Sequence, residues 1–173
     1  FSGNIRENIN YGSSKNLSDE EIIEALKIAQ AWDFVQKLPE DLNEKVSQGG
    51  KNFSGGQKQR LSIARAIASK APILIFDDSF SALDYKTDAK LRTELAIKTK
   101  SQTKFIVAQR VTSIMQADKI IVLDGGKIVG IGTHAELLKN NEIYREIASS
   151  QLSDEEIEAQ IRYFEKQKSV SKT

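Results

Sequence analysis

Three short, almost wholly apolar runs set between helix-length amphipathic segments constrain this chain more than any other feature. The first, Ile73-Leu74-Ile75-Phe76, ends in two aspartates. Lys104-Phe105-Ile106-Val107-Ala108 and Lys119-Ile120-Ile121-Val122-Leu123 follow it. Apolar runs of this length without alternation predict strands buried on both faces. Strands alternating with helices predict a parallel α/β sheet. Gly125-Gly126, leading into Lys127-Ile128-Val129-Gly130-Ile131, predicts a hairpin after the third strand.

The intervening segments carry helix punctuation. Ser18 and Glu21 form a capping box that opens a helix over 18–30, with Ile22, Ala25, Leu26 and Ala29 on one face. A short second helix runs to Leu38 and stops before Pro39, and its Trp32 and Phe34 are expected in a core. Four glycines over 47–56 predict a loop, from which a helix runs from Gly55 to about Lys70; another spans 85–99. Thr133 and Glu136 form a second capping box, opening helices that reach about Ser149, with His134 expected as an exposed first-turn residue. Leu152-Ser153-Asp154-Glu155-Glu156-Ile157 repeats Leu17 to Ile22, and both copies read as helix starts with acids suited to the helix dipole. The last five residues are expected to fray.

Composition removes whole classes of chemistry. Without cysteine there is no disulfide or thiol catalysis, and a single histidine excludes a histidine-rich metal site. The longest apolar run, Ala71 to Phe76, is six residues, against the ~20 that span a bilayer. A net charge of +1 gives no reason to expect nucleic acid as a partner. At 173 residues the chain predicts one domain, or one with a tail, and its start at Phe1 suggests a segment of something longer.

The sharpest motif is Phe53-Ser54-Gly55-Gly56-Gln57, directly before Lys58-Gln59-Arg60-Leu61. Two glycines at a helix start let backbone N–H groups approach an anion, with Ser54 adding a hydroxyl. On the residues alone the same glycines serve equally as a plain helix start. The neighbours carry more. The pentapeptide resembles the signature motif of ATP-binding-cassette (ABC) proteins, and Ile73-Leu74-Ile75-Phe76-Asp77-Asp78 resembles their Walker B strand. Ser81-Ala82-Leu83-Asp84 is similar to the D-loop that follows. Phe105-Ile106-Val107-Ala108-Gln109-Arg110 resembles the switch strand, and Ala117 to Leu123 the strand after it. Phe1 to Ile9 looks like the stretch after the glutamine loop of ABC exporters. Val46-Ser47-Gln48-Gly49-Gly50 looks like the exporters' loop facing the transmembrane coupling helices, with Gln48 where glutamate is usual.

The resemblance implies a P-loop NTPase (RecA-like) parallel sheet with a helical subdomain. Residues 1–150 would be the C-terminal part of the nucleotide-binding domain, with the helical subdomain over about 4–70 and the α/β core over about 71–150. Residues 151–173 would form a helical tail. ATP and Mg²⁺ are the implied ligands: Ser54, Gly55, Gly56 and Gln57 toward the ATP of a partner cassette, and Asp77 toward the metal. Asp78 and Gln109 would be the catalytic positions of the chain's own site. Ser81, Ala82, Leu83 and Asp84 would report across the dimer interface, and Gln48 would be the coupling-loop residue.

Three departures qualify that pattern. Asp78 stands where glutamate is usual and withdraws the carboxylate by roughly 1–1.5 Å, where a misplacement near 1 Å costs on the order of 100-fold. Gln109 replaces the switch histidine and cannot carry charge. No Gly-x-x-x-x-Gly-Lys-Ser/Thr occurs, so the P-loop strand is expected to be missing and the sheet incomplete. The chain alone is expected to be inactive as an ATPase. The intact protein is expected to be an exporter at the cytoplasmic face of the cell membrane. There the chain would work with its own transmembrane domain, upstream of Phe1, and a second half-transporter, as the degenerate-site subunit of a heterodimer of the multidrug or lipid type. The alternatives are a homodimeric exporter with two slow sites, or a non-hydrolysing regulatory cassette.

Overall fold

The computed structural model describes the backbone of residues 3–170 and the side chains through residue 164. They divide into two compact units, Phe1–Val107 and Ala108–Thr173.

In the first unit, β1 (Gly3–Asn4) pairs antiparallel with β2 (Lys45–Val46). Helices α1 (Ile5–Asn10) and α2 (Asp19–Ile28) each open on a capping box, Asn4 with Glu7 and Ser18 with Glu21, the latter as expected. Helix α2 stops two residues short of the predicted end because Gln30 turns left-handed at φ +56°. Ala31 N–H then reaches Leu26 C=O at 2.7 Å and Gln30 N–H reaches Lys27 C=O at 3.0 Å, the paired bonds of a Schellman stop. The short α3 (Trp32–Val35) leads through a 3₁₀ turn at Asp41–Asn43 and another at Gln48–Gly50 to α4 (Gly55–Ala68). Ile5, Ile9, Ile22, Leu26, Val35 and Ile63 form the centre of one core, with Trp32 and Phe34 packed against it.

Strand β3 (Ile73–Asp77) runs parallel to β4 (Thr103–Val107), with Ile75 opposite Phe105 and α5 (Tyr85–Lys98) connecting them. The expectation of strands buried on both faces is corrected here. Leu74 and Phe76 are buried, but Ile73 and Ile75 are 53% and 68% exposed, and Phe105 and Val107 53% and 57%. The inward face joins the core; among the described residues of this unit nothing covers the other face. Nor does β4 gain a second strand among the described residues.

In the second unit, α6 (Val111–Ile114) precedes β5 (Ile120–Asp124), which pairs antiparallel with β6 (Lys127–Gly132). The predicted hairpin is present, and its turn needs glycine: Gly125 and Gly126 both have positive φ, +52° and +74°, as a type I′ turn requires. Helices α7 (His134–Asn140) and α8 (Glu142–Ser149) are separated at Asn141, whose side chain caps Tyr144 N–H and donates to Val129 C=O. Helix α9 (Asp154–Val170) packs against α7 and α8. Of the five residues expected to fray, 169 and 170 continue this helix, and 171–173 lie outside the described residues.

His134 is also corrected: it is buried, at 1% exposure. Tyr144 and Gln160 close over it, with Tyr144 Oη 2.8 Å from Nδ1 and Gln160 Oε1 2.6 Å from Nε2. An amide oxygen only accepts, so Nε2 carries the proton and Nδ1 accepts from the tyrosine hydroxyl. The Phe164 ring meets the imidazole edge-on at 5.6 Å.

Candidate functional site

Helix α4 begins with Ser54 as N-cap. Ser54 Oγ accepts from Gln57 N–H at 3.3 Å, and Gln57 Oε1 accepts from Ser54 N–H at 2.9 Å. One lone pair of the hydroxyl is thus engaged and its proton remains to donate outward. In four other capping boxes the reciprocal acceptor is a glutamate: Glu7, Glu21, Glu136 and Glu156. At α4 it is a neutral glutamine, and no acid stands in the first turn. The partial positive charge of this helix end is therefore uncompensated from within, as an anion-facing terminus requires.

Phe53 turns away from that end. It is buried, its ring tilted 58° to Phe34 at 6.2 Å, so the aromatic that opens the motif is taken up by the core. Arg60 covers Phe34 at 4.9 Å and donates to the carbonyls of Gln30 at 2.7 Å and Gly56 at 3.3 Å. Burial lowers its pKa, and the Asp84 and Asp33 carboxylates oppose the shift.

The loop after β3 lies against the start of α4. A Cβ on Gly56 would stand 2.9 Å from Ala82 C=O, too close for any side chain, whereas on Gly55 it would meet Ala82 Cβ at 3.6 Å. Asp77 ends the strand, exposed. Asp78 adopts φ +46°, a left-handed conformation that aspartate tolerates better than glutamate. Its N–H donates to Val107 C=O at 3.1 Å, and its carbonyl accepts from Ser81 Oγ at 3.0 Å. Leu83 is buried, and Asp84 caps α5 through Thr87 N–H at 2.9 Å and Thr87 Oγ1 at 2.6 Å. Those Thr87 bonds hold the Asp84 carboxyl below its ordinary pKa.

Ser54 to Gln57 and Ser81 to Ala82 are thus brought together in the first unit, with Asp78 on the same loop and Asp77 at the strand end before it. Gln48 stands exposed on its own 3₁₀ turn, braced by Asn52, which accepts from Ser47 N–H at 3.1 Å and donates to Lys45 C=O at 2.7 Å. Gln109 lies exposed in the second unit, its carbonyl accepting from Gln151 Nε2 at 2.8 Å, while Gln151 Oε1 accepts from Val111 N–H at 2.9 Å. Sequence reasoning missed Gln151, and it missed Gln59, whose amide reaches the Asp78–Ala82 loop. The local signal for Gln59 was its place one helical turn after Gly56, on the face that meets the loop.

A family model described as ABC transporter matches residues 3–81. The ATP-dependent lipid A-core flippase of Francisella tularensis subsp. tularensis is 43% identical over 152 residues, covering 88% of this chain and 25% of that protein. An uncharacterized ABC transporter ATP-binding protein of Mycobacterium tuberculosis is 47% identical over 153 residues, covering 87% and 26%. The chain belongs to the ABC transporter ATP-binding domains. The solved structure of a bacterial Atm1-family ABC exporter with ATP bound matches this ATP-binding domain at a TM-score of 0.83 and 34% identity, over 89% of this chain and 27% of that one. These relatives make the ATP-binding domain one of the exporter type. The chain spans about a quarter of the length of the curated relatives it matches. No helix among the described residues is long and apolar enough to cross a membrane.

Proposed function

We propose that this ATP-binding domain lends its signature to the ATP of a partner cassette in a heterodimeric ABC exporter, while its own site hydrolyses weakly. The observation that carries the reading is the start of α4: a serine cap with an outward hydroxyl, two glycines, and no acid in the first turn. Phosphoryl transfer is mostly positioning and charge stabilisation, and such an end supplies both to a γ-phosphate. Ser54 and the Gly55 and Gly56 amides contact that phosphate, and Gln57 holds the cap without adding negative charge.

Magnesium neutralises phosphate charge when bound, and the residues here fit it. Among the described residues no cluster of three or more metal-binding side chains exists, so these residues form no cage by themselves. Mg²⁺ is characteristically held by one or two carboxylates together with substrate phosphates and water, a role open to Asp77 at the strand end. Asp78, shortened, and Gln109, uncharged, leave the chain's own site with a withdrawn base and a neutral donor. Gln48 faces the transmembrane domain, at the cytoplasmic side of the cell membrane. Residues 1–150 are the C-terminal part of the domain and 151–173 its tail.

Ser54→Arg in the intact transporter tests the reading. It removes the hydroxyl and blocks close approach, and loss of one preorganised donor costs ~10²–10³ in turnover. The expected outcome is near-complete loss of phosphate release at saturating Mg-ATP. A variant retaining most wild-type turnover would show that Ser54 serves no nucleotide.

A further inference from the structure

Gln59 uses both ends of its amide on one loop. Its Nε2 donates to Asp78 C=O at 3.1 Å and to Ser81 Oγ at 3.0 Å, and its Oε1 accepts from Ala82 N–H at 2.9 Å. The reverse orientation would set oxygen against carbonyl and N–H against N–H, so the network itself decides which way the amide points. Gly56, one turn earlier on the same helix face, lets the Ala82 carbonyl come within 2.9 Å of where its Cβ would be. The signature helix and the loop therefore meet backbone to backbone, with Gln59 as the polar tie between them.

We infer that Gln59 is a positioning residue that makes the signature helix and the Asp78–Ala82 loop move as one body, so that each nucleotide site senses the other through this side chain. The inference rests on the proposed function above. Asp78 makes the role specific. Its left-handed backbone is bonded to Val107 C=O through its N–H and to Gln59 through its carbonyl. Losing the Gln59 bond leaves the Asp78 carbonyl held from within its own loop, by Ser81 Oγ, and no longer from the helix. Asp78 can then relax toward negative φ, which re-aims its carboxylate by an ångström or more, a displacement that costs on the order of 100-fold where the geometry is catalytic. The same loss removes the helix's bonds to Ser81 and Ala82, the part of the loop that faces the signature.

The test uses the intact transporter. Gln59→Leu deletes all three bonds at similar volume, and Gln59→Glu keeps only the acceptor for Ala82 N–H. For Gln59→Leu, kcat should fall about 10- to 100-fold with KM for ATP within about threefold of wild type and the nucleotide-free unfolding midpoint little changed. Ser81→Ala should cost several-fold in the wild-type background and distinctly less in Gln59→Leu, because the bond from Gln59 is already gone there and only the bond to Asp78 C=O is left to lose. Should Gln59→Leu not fold, Gln59→Glu is put through the same kcat and Ser81→Ala comparison. A kcat within twofold of wild type, or costs of Ser81→Ala that simply add, would overturn the tie. Ser54→Arg run alongside separates the two levels: a dead Ser54→Arg with an unaffected Gln59→Leu overturns the tie alone, and full turnover in both overturns the functional reading as well.

Discussion

Gln57→Glu isolates the electrostatics of the α4 start from its geometry. Glutamate already occupies the equivalent position of four capping boxes, where its carboxylate accepts the cap N–H at 2.8–3.1 Å, against 2.9 Å for Gln57. The substitution therefore fits without displacement. A charge at a helix N-terminus stabilises by about 0.3–1 kcal/mol, so the folded chain should gain that much. A γ-phosphate bound at the same end would feel the opposite effect. Two unit charges about 8 Å apart at an effective dielectric of about 20 repel by roughly 2 kcal/mol, or about 30-fold in an equilibrium. Stability is measured by urea titration of the chain, followed by the fluorescence of Trp32, the single tryptophan, which packs on the same core as α4. Turnover is measured as phosphate release by the intact transporter, and raising ionic strength should recover part of the loss. The reasoning fails if the variant is more stable yet turns over within twofold of wild type, because the helix end would then face no anion.

The degenerate site is tested by repairing it. With the partner's catalytic glutamate changed to glutamine and the partner's signature intact, Asp78→Glu together with Gln109→His should restore measurable hydrolysis. Either change alone should do little, because groups acting as one unit are non-additive; no gain from the pair refutes the assignment. His134 supplies a pH prediction: burial lowers its pKa, opposed by the Gln160 bond, so the unfolded chain binds the proton more readily. Stability should be full above the ordinary value of 6.5 and decline as pH falls through it. Glu21, held down to about 2 chiefly by the Lys70 bond, contributes fully above 4.5 and so leaves that window to the histidine. As the single histidine it gives one imidazole signal by NMR, and a midpoint at or above 6.5 in the folded chain would sink the prediction.

Local chemistry was legible wherever it is complete within a few residues. The Ser18 and Thr133 capping boxes, the Gly125-Gly126 turn and the α4 start all form as their own side chains dictate. Ile73 to Phe76 was misread on one face because an apolar run records what a strand is suited to touch, not what is present to touch it. His134 was misread for the converse reason: its first-turn position suggests exposure, but Gln160, 26 residues away, closes over it. Gln59 carried only its place one turn after Gly56, and an isolated polar residue on a helix shows its purpose only when a loop some 20 residues away folds back onto it.

The hexapeptide shared by Leu17–Ile22 and Leu152–Ile157 is a portable unit. In both copies serine and glutamate exchange bonds, the isoleucine is buried, and the leucine before the serine packs against the same core as that isoleucine. Each copy thus completes a helix entrance from its own six residues and asks of its surroundings only an apolar surface. Exchanging the two would alter nothing, since they are identical; what assigns one to the first unit and the other to the second is written entirely in the residues that follow.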